Sequence, residues 1–218
     1  MTKFWKVPRM WEGETVAILA GGHSLTQAQV DYVKGKCKVI AINSSYLLAP
    51  WADLLYFCDD RWYTQCGHKD RKEFKEFNGI KVTLRNLSMP EDIMKLDHRG
   101  GTGLCLESDG LMTGSNSGYQ CMGLAFHLGA NRQLLLGYDM KIVNGKSHWH
   151  GGHKKDIEHS SGNRPDHVVL AYKTLEFTML PKFLTIVEPL EKAGIEVINC
   201  TPDSALECFP KASLFDIL

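Results

Sequence analysis

The stretch Val16-Ala17-Ile18-Leu19-Ala20-Gly21-Gly22-His23-Ser24-Leu25 decides the fold. Five apolar residues run straight into paired glycines. That is the pattern of a fully buried strand entering a tight turn. Ser24 stands where an N-cap belongs, and the spacing that follows predicts a helix over Leu25–Lys34. The same grammar then repeats. Cys37–Ile42 reads as a second strand ended by Asn43-Ser44-Ser45, and Asp53–Cys58 as a third ended by Asp59-Asp60. Charged residues over His68–Phe77 predict an exposed helix, and Ile80–Leu84 a fourth strand. Ser115–Leu128 has helical spacing, Gln133–Leu136 is strand-like, and Val168–Ala193 is a long helical stretch that Pro181 and Pro189 are expected to kink or divide. Gly194–Asn199 closes the series. Strands alternating with helices predict a parallel α/β sheet, Rossmann-like, with helices on both faces. The 218 residues read as a single domain, with two decorations. One is an irregular insertion over 86–114, with a short strand at Leu104–Glu107. The other is a His-rich loop over 147–166.

The totals narrow the function classes. Hydrophobic residues are 44%, charged residues 23% and the formal net charge is zero. A protein that coats nucleic acid needs a strong cationic field, so nucleic acid is a poor partner here. The seven cysteines, Cys37, Cys58, Cys66, Cys105, Cys121, Cys200 and Cys208, are odd in number and hold no CxxC pair. They read as reduced thiols of a cytoplasmic protein. Met1–Lys6 lacks the apolar core of a signal peptide. No apolar run approaches the roughly 18 residues of a membrane span.

Candidate site residues fall where such sheets hold ligands, past the carboxyl ends of strands. Gly21 and Gly22, with Ser24 at the helix start, suit a phosphate approached by backbone N–H groups; a tight turn with its cap is the plainer reading. Asn43 and Ser44 end the second strand, where a nucleoside would lie, or form an Asx turn. Asp59 and Asp60, followed by Trp62, are a carboxylate pair able to hold Mg²⁺ or serve as a base, or an acidic helix start. Asn116, Ser117 and Gly118 open a helix and suit a phosphate or a cap. Asp139 follows the strand Gln133–Leu136 and joins the residues around the pocket. Ser147-His148-Trp149-His150-Gly151-Gly152-His153 brings three imidazoles within six positions. Its spacing is not a standard structural zinc pattern. A general acid or base, or a phosphate contact, is more economical, so no metal ligand is assigned.

Taken in order, these segments resemble a known family. The Gly-Gly-x-Ser-Leu turn, Asn43-Ser44, Asn116-Ser117-Gly118 leading to Leu128-Gly129-Ala130, Leu134-Leu135-Leu136-Gly137-Tyr138-Asp139, the His-containing loop and Ile195–Leu206 follow one another as in bacterial sialyltransferases of glycosyltransferase family 42. Related DUF115 proteins, some of them pterin pyrophosphokinases, and small phage-encoded proteins look similar. Where the family's first turn usually has proline, this chain has His23. The resemblance implies a nucleotide-sugar donor, CMP- or UDP-linked, and transfer without a required metal. Gly21, Gly22 and Ser24 would lie along the donor phosphate, and Asn43 and Ser44 at the nucleoside. Ser117 and Gly118 would face the reacting centre, with His153 as the base and His150 and His148 as further candidates. A small-molecule or glycan acceptor would take the sugar, in the cytoplasm of a bacterial or phage-infected cell, with a homo-oligomer compatible. Two alternatives stay open: a Mg²⁺-dependent pyrophosphokinase or phosphohydrolase using Asp59 and Asp60, and a non-catalytic nucleotide-binding protein.

Overall fold

A computed structural model describes residues 4–84, 89–142, 149 and 174–218. Its centre is a seven-stranded sheet in which every pairing is parallel. The chain begins in the middle with β1 (Thr15–Leu19) and steps outward through β2 (Lys38–Ile42), β3 (Leu54–Phe57), β4 (Ile80–Thr83) and β5 (Ile93–Lys95). A separate two-stranded sheet follows, β6 (Asp97–Gly100) with β7 (Gly110–Met112). The chain then returns to the other side of β1 with β8 (Arg132–Leu136) and β9 (Glu196–Asn199), giving the order β5-β4-β3-β2-β1-β8-β9. The direction of winding reverses between β1 and β8, and crevices at such reversals are where open α/β sheets bind ligands.

Burial explains why β1 reads as an unbroken apolar run: Val16, Ala17, Ile18 and Leu19 are all fully buried. A parallel strand covered on both faces needs apolar residues at every position. Val16, Ile18, Ile40 and Tyr56 point into one core. Ala17, Leu19, Val39 and Leu55 point into the other. The first core is roofed by α3 (Ser117–Leu128) and α4 (Leu180–Lys192) through Tyr119, Met122, Phe183, Ile186 and Leu190; the second receives Val30 and Val33 of α1 (Gln27–Val33). The expected single-domain, Rossmann-like α/β sheet with helices on both faces is the fold observed. α3 is buried almost all round, closes on the left-handed Gly129 and is capped by Asn116, whose Oδ1 accepts the Gly118 and Tyr119 N–H groups at 2.7 and 3.2 Å.

Several local expectations are corrected. Ser24 does not cap α1. Thr26 does, in a reciprocal capping box: the Gln29 N–H donates to Thr26 Oγ1 and the Thr26 N–H to Gln29 Oε1. Two backbone donors satisfied together outweigh the single bond a Ser24 cap offers. The region His68–Phe77 is a 3-10 turn (His68–Asp70) and one α turn, α2 (Lys72–Lys75), not an exposed helix. Its His68, Phe74 and Phe77 are buried while the lysines and Glu73 face out. Within 86–114, Leu104–Glu107 is not a strand, and Leu106 is 75% exposed. The strands there are β5, β6 and β7, each of three or four residues and too short to show a period. Pro189 lies inside α4 without dividing it, and Pro181 sits in the first turn, where its missing N–H costs nothing. The segment before α4, Thr174–Met179, is a π-helix; residues 168–173 lie outside the described residues. A short α5 (Leu214–Ile217) ends the chain. Among the described residues, no helix is long and apolar enough to cross a membrane.

Candidate functional site

A cleft of about 660 Å³ opens where the carboxyl ends of β1, β2, β3 and β8 meet the start of α3. Gly21 and Gly22 form its floor beside β1, Asn43 and Ser44 follow β2, and Asp59 and Arg61 follow β3. Asn116, Ser117 and Gly118 enter from α3. Tyr138, Met140 and Lys141 come from beyond β8, and Leu175 and Met179 close the far wall. Six of the seven residues expected around a nucleotide, Gly21, Gly22, Asn43, Ser44, Ser117 and Gly118, are thus brought to one surface. Of the other pocket candidates, Asp59 and Asn116 line it. Ser24, Asp60, Trp62 and Asp139 do not. Of the His-rich segment only Trp149 is described, its backbone N–H donating to the Gly21 carbonyl at 3.0 Å. His148, His150 and His153 lie outside the described residues.

The residues missing from the lining support it from behind. Trp62 is 1% exposed, donates its indole N–H to Ser44 Oγ at 3.0 Å, and stacks on His68 with ring centroids 4.0 Å apart. The Tyr46 hydroxyl lies 3.0 Å from His68 Nδ1. Burial pushes Tyr46 up to about 12, so it stays a neutral phenol across the working range. Burial likewise raises Tyr138, whose hydroxyl donates to the Gly118 carbonyl at 3.1 Å. Of the Asp59-Asp60 pair only Asp59 lines the cleft. Asp59 Oδ1 accepts the Arg61 N–H at 2.9 Å, whereas the Asp60 carbonyl accepts the Thr64 hydroxyl at 2.7 Å. Among the described residues, no group of three His, Cys, Asp or Glu side chains is arranged to hold a metal ion.

Gly22 has a reason the sequence did not reveal. A Cβ there would overlap Oδ2 of Asp139 and the Gly137 carbonyl oxygen, and would stand 2.8 Å from Asp139 Cγ. The glycine admits a buried carboxylate. Asp139 is 2% exposed. Its Oδ2 accepts the Ser24 hydroxyl at 2.9 Å, and its Oδ1 stands 2.9 Å from His23 Nδ1.

Backbone irregularity collects around this cleft. Four described non-glycine residues have left-handed φ, and three of them, Asn43 (49°), Ser115 (54°) and Met140 (51°), line it. Each conformation costs of order 1 kcal/mol or more and persists where the surroundings enforce it, commonly at ligand sites. The two π-helices, Arg61–Gln65 and Thr174–Met179, also border the cleft, supplying Arg61, Leu175 and Met179. Such segments favour functional sites. Asn43 Oδ1 is buried with no hydrogen-bond partner among the described residues, an acceptor that asks for a donor from a ligand or water. Among the described lining residues, Arg61 and Lys141 set two cations against the carboxylate of Asp59, a balance that favours an anion.

Arg61, Lys141, Tyr138, Gln120 and His23 are the functional candidates sequence reasoning passed over; Asp139 was named, but not its pairing with His23. Arg61 and His23 lay inside segments already singled out, so position was the available signal. Compared with family models, curated proteins and solved structures, the chain matches none.

Proposed function

We propose that this protein binds a nucleotide in the cleft and acts as a nucleotide-sugar glycosyltransferase, moving the sugar of a CMP- or UDP-linked donor to an acceptor hydroxyl. One observation carries the reading. At the reversal point of the sheet, a cleft with a net cationic lining combines an unpartnered Asn43 acceptor past β2 with the start of α3 across from it. A nucleoside fits the first and a phosphate the second. Ser117, at the first position of α3, has no hydrogen-bond partner for its N–H among the described residues, and its hydroxyl lies 3.4 Å from the Cys58 thiol. Helix starts of this kind hold phosphate oxygens through N–H donors and the helix dipole. Arg61 and Lys141 provide charge without a metal, so transfer needs no bound cation. The acceptor is a small molecule or glycan entering from the open side.

The test is a thermal-shift series on metal-stripped protein with CMP, UDP, GDP, ATP and NAD, each with and without Mg²⁺. Ligand at about 100 times its Kd stabilises the folded state by about 2.7 kcal/mol, which is readily seen as a higher Tm. A metal-independent shift with CMP or UDP supports the reading. A shift only with ATP or GDP plus Mg²⁺ moves it to phosphoryl or pyrophosphoryl transfer. No shift with any of the five refutes nucleotide binding at this site.

A further inference from the structure

The geometry points to His23 as a proton-transfer residue of the cleft, positioned through Nδ1 by the buried carboxylate of Asp139. The pair stands directly behind the lining, and its chain neighbours form that lining: Gly22, which precedes His23, and Tyr138 and Met140, which flank Asp139. Three separate features of the chain converge on this one carboxylate. Gly22 lacks the Cβ that would displace it. Ser24 fixes Oδ2 with its hydroxyl at 2.9 Å and its N–H at 3.4 Å. Met140 takes a left-handed turn at φ 51° immediately after it, which fixes the direction in which the chain leaves β8.

What remains is Oδ1, which among the described residues only His23 meets. Nδ1 and Oδ1 lie 2.9 Å apart. They are not yet aligned as a hydrogen bond, but both atoms are buried and neither has another partner among the described residues. A carboxylate oxygen only accepts, so the hydrogen bond that this 2.9 Å approach allows puts the hydrogen on Nδ1. That leaves Nε2 as the nitrogen that gains and loses a proton. The His23 side chain is 26% exposed, and its Nε2 has no partner among the described residues. A carboxylate that fixes the tautomer and orientation of an imidazole, with the far nitrogen free, is the arrangement of a general base. An ion pair needed only for stability would not require the ring's outer nitrogen to stay free.

The chemical step rests on the transferase reading; the pair itself does not. In that step Nε2 takes the proton of the acceptor hydroxyl as its oxygen bonds to the anomeric carbon. The bond from that carbon to the donor phosphate oxygen breaks, and its electron pair stays on the phosphate. The proton then leaves Nε2 to solvent.

The test uses the full chain and three measurements. Multiple-bond ¹H–¹⁵N spectra of the free protein, with His23→Gln identifying the ring signals, are expected to show the neutral ring protonated at Nδ1. A ring protonated at Nε2 overturns the proposal whatever the cleft binds. Carbethoxylation of His23 by diethyl pyrocarbonate, read by peptide mass spectrometry, is expected to slow several-fold in Asp139→Asn. Ser24→Ala, which removes the hydroxyl that orients the carboxylate and so loosens its hold on the ring, is expected to slow it less and serves if Asp139→Asn does not fold. An unchanged rate overturns the positioning role. Finally, nucleotide release from CMP- and UDP-linked sugars is expected to fall at least about 100-fold in His23→Gln, with nucleotide affinity held within threefold. Turnover within threefold of the parent chain overturns the proton-transfer role. A parent chain that releases neither nucleotide refutes the transferase reading alone, and the first two measurements then decide the proposal.

Discussion

Gly22→Ala tests the central packing claim. The new methyl would overlap Oδ2 of Asp139 and the carbonyl oxygen of Gly137, and lie 2.8 Å from Asp139 Cγ. The carbonyl belongs to the backbone just past β8 and accepts the Gly22 N–H at 2.9 Å, so it cannot swing aside. The strand itself is locked between β1 and β9. Overpacking of this kind costs about 1–3 kcal/mol. Displacing the carboxylate also strands the Ser24 hydroxyl and a buried charge, about 1–3 kcal/mol more. A total near 4 kcal/mol is expected. With a urea m value of about 2–3 kcal/mol/M, the unfolding midpoint falls by about 1.3–2 M. The control is Gly101→Ala, where a Cβ meets nothing within 4 Å; it should stay within about 0.5 kcal/mol of the parent. Asp139→Ala in the Gly22→Ala background should not restore stability, because the clash with the Gly137 carbonyl remains. A Gly22→Ala midpoint within 0.3 M of the parent would refute the reasoning.

Further expectations concern the cap, the back wall and alkaline pH. Asn116→Ala removes the acceptor for two N–H groups of α3 and should lower stability by about 1–2 kcal/mol in urea titration; an effect under about 0.3 kcal/mol would mean the cap is idle. Trp62→Phe keeps the stacked ring but deletes the donor to Ser44 Oγ. It should cost about 1 kcal/mol and weaken CMP or UDP binding, with calorimetry as the check and unchanged affinity counting against a role for the Ser44 wall. Burial pushes Cys37, Cys105, Cys200 and Cys208 up to about 11 from an ordinary 9.0. Between those values the unfolded chain has released protons that the folded chain still holds, so stability is lost as pH rises from about 9 towards 11. Urea midpoints at pH 8, 9.5 and 10.5 should therefore descend, and a flat series would contradict the buried thiols.

The sequence made the sheet legible because doubly covered parallel strands must be apolar throughout, and β1, β2, β3 and β8 announce themselves that way. It located eight cleft residues because strand ends and helix starts at the carboxyl edge of such a sheet border its crevice. It misplaced the α1 cap because Ser24 and Thr26 are equally good candidates until Gln29 is seen reaching back. It did not show that Gly22 also admits Asp139, since a glycine that admits a side chain from 117 positions away looks the same as one that admits a phosphate. It took the charge of 68–77 for exposure because alternating lysines hide Phe74 and Phe77. Trp62 was placed in the pocket on position alone, and its indole N–H turned it to the back of the Ser44 wall.

The pairing of β1 with β8 joins Thr15 to Arg132 and Leu19 to Leu136. It also has a kinetic side. Contacts this distant in sequence carry a large loop-closure entropy and slow folding. During synthesis β1 can pair with β2 early, yet its other edge stays open until the chain has been made past residue 136. Until then the glycine turn has no Asp139 to close on and the cleft lacks one wall. A chain halted before that point offers an apolar parallel edge ready to pair with another copy, the template from which aggregates grow. Truncations ahead of β8 should therefore fail by precipitation rather than survive as smaller folded units.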